Sequence, residues 1–65
     1  MSLHERLIKL NEVKRKTGLS RSSVYRLAKT GEFPQPIKLG ERASGWLESE
    51  INGWIDSRIE QRDRA

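Results

Sequence analysis

The chain has 65 residues, 13 of them Lys or Arg against 9 Asp or Glu, for a net charge of +4. A chain this short buries only about 60% of the surface its unfolded form exposes, so a catalytic cleft with its own supporting shell is not expected. It has no cysteine, which excludes disulfides and Cys-based zinc or iron–sulfur sites. No uncharged apolar run exceeds two or three residues and the first residues lack the apolar core of a secretion signal, so the sequence predicts a cytoplasmic protein with no membrane span.

Charge is unevenly distributed. Arg6 to Arg42 holds ten basic and three acidic residues, a local +7, whereas Ala43 to Ala65 holds three basic and five acidic residues, a local −2. Segregation of this kind points to one face built for a polyanion, against the plainer reading of a solvated surface. No repeat, linker or low-complexity stretch interrupts the chain. One domain is expected from Arg6 to Arg62, after a short tail over residues 1–5.

Arg6 to Leu10 alternates loosely around the β-branched Ile8 and reads as a short strand. Asn11 to Thr17 reads as a two-turn helix with a thin apolar contribution, chiefly Val13. Gly18 then supplies a left-handed helix stop, Leu19 folds back as its apolar partner, and Ser20 is placed to cap the next helix by accepting from the amide of Ser22 or Ser23. From Arg21 to Thr30, Val24, Leu27 and Ala28 form one apolar stripe at helical spacing. The opposite side gathers Ser22, Arg26 and Lys29, flanked by Arg21 and Tyr25. Gly31 ends this helix, and Pro34 and Pro36 keep it from resuming.

Pro36 to Trp46 suits a hairpin, with Ile37 and Leu39 inward, Lys38 outward, a turn over Gly40 to Ala43, and a return through Ser44 to Leu47. Leu47, Ile51, Trp54, Ile55 and Ile59 recur at helical spacing in the last segment. Glu48 and Glu50 stand at its positive end, Arg58 and Arg62 toward its negative end.

Two short helices joined by Gly18-Leu19-Ser20 match a helix-turn-helix. Its second helix presents Ser22, Tyr25, Arg26 and Lys29, with Arg21 beside them, to the major groove of double-stranded DNA. There Arg reads guanine O6 and N7, while hydroxyls and Lys hold phosphates. Ser20 caps the helix and leaves its positive end open to a phosphate. Position three of this helix is Ser23 rather than the Glu or Gln of a capping box, so no carboxylate stands against an approaching phosphate. Lys38 and Arg42 reach backbone or minor groove from the hairpin, as a wing does, or else the hairpin merely covers the core. The fold class expected is mainly α with a small β-hairpin, a winged helix-turn-helix.

The stretches Arg6-Leu-Ile-Lys-Leu-x-Glu-Val and Lys16-Thr-Gly-Leu-Ser-Arg-Ser-Ser-Val-Tyr-Arg-Leu resemble the AlpA family of phage-derived regulators. Gly31-Glu-Phe-Pro-x-Pro-Ile-Lys-Leu-Gly and Gly45-Trp-x-Glu-Ser-Glu-Ile-x-x-Trp-Ile continue the match, which runs from residue 6 to about 60. The resemblance implies a winged helix-turn-helix related to MerR-type and excisionase domains, with Ser20 to Lys29 as recognition helix and Lys38 to Ser44 as wing. It also implies transcriptional activation or repression, often tied to prophage integrase genes. Asn11 departs from the proline of many members and leaves the first helix boundary open.

Two alternatives stand beside a transcriptional regulator. One is an excisionase that bends DNA and guides an integrase. The other is an interaction module that binds another regulator through Arg26, Lys29 and Tyr25, with DNA irrelevant. An enzyme is not expected. His4 is the sole histidine and lies in the tail, the serines at 20, 22 and 23 have no base to activate them, and Glu48 and Glu50 point to different helix sides. No cofactor or metal site is expected. Trp46 and Trp54 read as core residues rather than base-stacking platforms. No heptad marks a dimer seam, so separate monomers on repeated sites are expected.

Overall fold

A computed structural model describes residues 5–64 of the chain, so the expected tail, His4 included, lies outside the described residues except for Glu5. The elements run β1 (Leu7–Ile8), α1 (Leu10–Thr17), α2 (Arg21–Lys29), β2 (Ile37–Lys38), β3 (Ser44–Leu47) and α3 (Glu48–Arg64). The three strands form one antiparallel sheet in the order β1-β3-β2, with Ile8 opposite Trp46 and Ile37 opposite Gly45. The hairpin is thus extended by a third strand drawn from the start of the chain. β3 is the hub of the domain, since β1, β2, α1 and α3 all meet it.

Each helix of the pair stops at a glycine that holds positive φ. Gly18 sits at φ 74° and donates its amide to the Lys14 carbonyl at 2.8 Å, while Thr17 Oγ1 donates to the Val13 carbonyl and accepts from the Leu19 amide. Ser20 then accepts from the Ser23 amide at 3.2 Å, the capping bond expected from the sequence. At the far end of α2, Gly31 at φ 82° donates to Ala28 and Glu32 donates to Leu27, the paired bonds of a Schellman motif. That turn sends the chain back under α2, and Phe33 enters the core at 3% exposure.

The core consists of Ile8, Val13, Val24, Ala28, Phe33, Trp46 and Ile51, with Leu10, Leu19, Leu27, Trp54 and Ile55 packed against it. One Val is all that α1 buries fully, yet it lies at 0% exposure, so the thin apolar contribution is enough to seat the helix. Trp46 is completely buried and donates its indole N–H to the Pro34 carbonyl at 3.0 Å. Trp54 is only half-buried. It packs edge-on against Phe33, with centroids 4.9 Å apart, and donates to the Glu32 carbonyl at 2.8 Å. Both indoles therefore act on the body of the fold, Trp54 less completely than its place in the helical stripe implies.

Five local expectations are corrected or narrowed. Leu10 opens α1 rather than closing β1, and Thr30 is the cap of α2 rather than its last residue. Leu47, expected both in the return strand and in the stripe of the last helix, belongs to β3, where it pairs with Leu7 of β1. Ile37 and Leu39 are not inward but 38% and 43% exposed: β2 is a two-residue edge strand with no layer behind it, and Leu39 lies across Gly45. Ile59 is 42% exposed, because α3 outruns the body and every residue from Asp56 to Arg64 is exposed.

Candidate nucleic-acid interface

Val24 and Ala28 anchor α2 in the core, which turns Ser22, Arg26 and Lys29 to solvent as the helical wheel requires. All three are exposed, as is Arg21 at the start of the helix. The Ser20 hydroxyl is committed to the cap and also donates to Ser23 Oγ at 3.1 Å. Tyr25 is half-exposed rather than fully on the free face. Its ring lies 6.0 Å from that of Trp46 at a tilt of 57°, and the Arg21 guanidinium sits 5.7 Å above it. Tyr25 therefore braces α2 against β3 while its edge stays accessible.

Lys38 and Arg42, on the opposite side of the hairpin turn from each other, are both exposed. The turn between them is closed by Leu39 and Gly40 donating to the Ala43 carbonyl at 2.8 and 3.3 Å. A cleft of about 310 Å³ separates α2 from this hairpin. Its walls include Arg21 and Tyr25 from α2, Arg42 from the hairpin, Trp46 behind, and Lys9 and Asn11 from the start of α1. Sequence reasoning missed Lys9 and Asn11. No local signal marked them: Lys9 is the N-cap of α1 only because the helix opens at Leu10, and its side chain makes no cap bond while its carbonyl accepts from Glu12 and Val13.

The charge census sharpens the picture. Of the ten basic residues between Arg6 and Arg42, two are engaged internally: Arg6 and Lys16 both approach Glu48 Oε2 at 3.3 Å. The remaining eight form no ion pair among the described residues. They include Lys9, Arg21, Arg26, Lys29, Lys38 and Arg42, the cations of α2, the hairpin and the cleft between them. Among the described residues, no group of His, Cys, Asp and Glu is arranged to hold a metal and no helix is long and apolar enough to cross a membrane.

A family model described as "Prophage CP4-57 regulatory protein (AlpA)" matches residues 6–59, which takes in all three strands, both short helices and most of α3. The chain belongs to the AlpA family. Two relatives agree with that placement. "Uncharacterized protein ORF88" of Enterobacteria phage P4 is 43% identical over 61 residues, covering 94% of this chain and 69% of the relative. "DNA-binding transcriptional activator AlpA" of Escherichia coli K12 is 32% identical over 59 residues, covering 82% and 84%. The AlpA-family chain is thus a phage-type regulator on a winged helix-turn-helix, with an α2 face and a hairpin joined by a cationic cleft.

Proposed function

We propose that this AlpA-family protein is a sequence-specific double-stranded DNA-binding regulator of prophage transcription. α2 enters the major groove, where Arg26 reads base edges and Ser22 and Lys29 hold register. Lys38 and Arg42 hold the backbone from the hairpin. Arg21, Tyr25, Lys9 and Asn11 receive the phosphates that pass between hairpin and helix, and Ser20, whose hydroxyl is committed to the cap, holds the N-terminus of α2 beside them. The observation that carries this reading is the cleft between α2 and the hairpin, with Lys9, Arg21 and Arg42 on its walls and none of them neutralised by a carboxylate among the described residues. A relative named as a DNA-binding transcriptional activator supports it. Membership of a regulator family favours a binding protein over an enzyme.

Fluorescence anisotropy tests the proposal, with promoter and attachment-region duplexes from the protein's own locus against scrambled DNA at two salt concentrations. A preference of about a thousandfold with a steep salt slope is expected. Weak binding without preference overturns it. A footprint on a promoter assigns transcription control, whereas one on an attachment site assigns an excisionase role with an integrase as partner.

A further inference from the structure

α3 is 17 residues long, and beyond Ile55 it gains nothing from the core, since every residue from Asp56 to Arg64 is exposed. Isolated helical turns are marginal in water without a packed face. The exposed stretch nevertheless continues the apolar stripe of the buried part: Ile55 is followed one turn later by Ile59, 42% exposed. Ile55, Ile59 and the half-buried Trp54 form the floor of a groove of about 320 Å³, closed on one side by Lys16 at the end of α1. Arg58 and Arg62 complete the rim. No carboxylate lines the groove, and it shares no residue with the cleft between α2 and the hairpin or with the exposed face of α2.

The rim cations differ in how they are held. The Arg58 guanidinium lies over the Trp54 ring at 4.9 Å and donates to Gln61 Oε1, with no carboxylate partner among the described residues. Lys16 is held 3.3 Å from Glu48 in a pair whose side chains are only 28% and 22% exposed, whereas Arg62 is 3.1 Å from Asp63 in a pair 74% and 62% exposed. Exposed pairs of this kind contribute little and exchange partners readily. An apolar floor flanked by Arg58 and Arg62 selects its ligand twice over, by apolar anchors and by negative charge.

We propose that this groove docks an acidic amphipathic helix of a partner protein. One or two aliphatic or aromatic side chains of that helix sit on Trp54, Ile55 and Ile59 beside the Lys16 stem, and carboxylates flanking them meet Arg58 and Arg62. Because α2 and the hairpin are not involved, the partner binds while the DNA face remains available. A second copy of the chain is a poorer occupant: pairing two α3 helices antiparallel about Ile59 brings Arg58 and Arg62 of one against the same arginines of the other.

The test is selection of random helical peptides displayed on phage against the intact protein, followed by mapping of the winners by amide chemical-shift perturbation. The expected winners carry Leu, Ile or aromatic residues spaced by one helical turn with Asp or Glu beside them, and they shift Lys16, Trp54, Arg58 and Ile59. Ile59→Ser and Arg58→Gln, both at exposed positions, are expected to weaken them about tenfold each with DNA affinity unchanged; melting temperature stays unchanged in Ile59→Ser and falls slightly in Arg58→Gln, which loses the stack on Trp54. No binders, basic or neutral winners, shifts confined to Arg21, Arg26 and Arg42, or indifference to both substitutions would each overturn the proposal. So would a dimer in sedimentation that Ile59→Ser dissolves. DNA binding is read separately, so failure here and failure of the DNA reading are distinct results.

Discussion

If the cleft between α2 and the hairpin carries phosphates, its cations set the salt dependence of binding. Five cations are assigned to backbone contact: Lys9, Arg21, Lys29, Lys38 and Arg42, all exposed and none ion-paired among the described residues. At about −0.9 per phosphate neutralised, the slope of log K against log salt is about −4.5. Removing one contact flattens the slope by about 0.9 and, near 0.1 M salt, weakens binding about eightfold, roughly 1.2 kcal/mol. Lys9 and Arg42 are the cleanest probes, because Arg21 also stacks on Tyr25. Lys9→Ala and Arg42→Ala are each expected to give a slope near −3.6, and the double variant a slope near −2.7 with about 60-fold weaker binding on cognate and scrambled duplexes alike. Stability is expected to change by less than about 0.5 kcal/mol in each. Anisotropy titrations at four or more salt concentrations read both quantities. A double variant with the wild-type slope would show that the cleft takes no phosphate and would remove it from the interface.

Trp46→Ala is expected to cost about 3–5 kcal/mol, most of the stability of so small a domain, because it empties the centre of the core and orphans the Pro34 carbonyl; a far-UV circular dichroism denaturation curve reads it. Gly31→Ala meets no atom within 4 Å, so its cost is the backbone strain of a positive φ, about 1–2 kcal/mol, and a melting temperature lowered by about 4–8 °C per kcal/mol is expected. Ser20→Ala is expected to lose about 1 kcal/mol with the Ser23 amide bond, whereas Ser20→Gly loses only a few tenths; equal effects in thermal melts would show that the cap does not hold α2.

The helix-turn-helix was legible because its determinants are local. Gly18, Ser20 and the stripe Val24, Leu27 and Ala28 act within a turn or two of their own positions, and the structure keeps each where the pattern placed it. The exposure of Ser22, Arg26 and Lys29 follows from that stripe by geometry alone. What escaped depends on distant pairing. Phe33 lies in an aperiodic stretch, and only the Schellman turn and the edge of Trp54 show why it is buried. β1 is two residues long, and its role as a third strand exists only through Trp46 and Leu47 of β3. Ile37 and Leu39 carry the alternation of an inward-facing strand, but no layer covers that edge. Lys9 and Asn11 join the candidate site because α1 packs on β3 beside the hairpin, a neighbourhood no local spacing encodes.

The central claim is that α2 reads sequence through Arg26, and the ratio of cognate to scrambled affinity measured for the native protein and for Arg26→Ala tests it most directly. A native ratio of about a thousand is expected, with a loss of about 1–3 kcal/mol on the cognate duplex that is absent or much smaller on scrambled DNA. Equal weakening on both duplexes, with the ratio preserved, would contradict it and place Arg26 among the phosphate contacts.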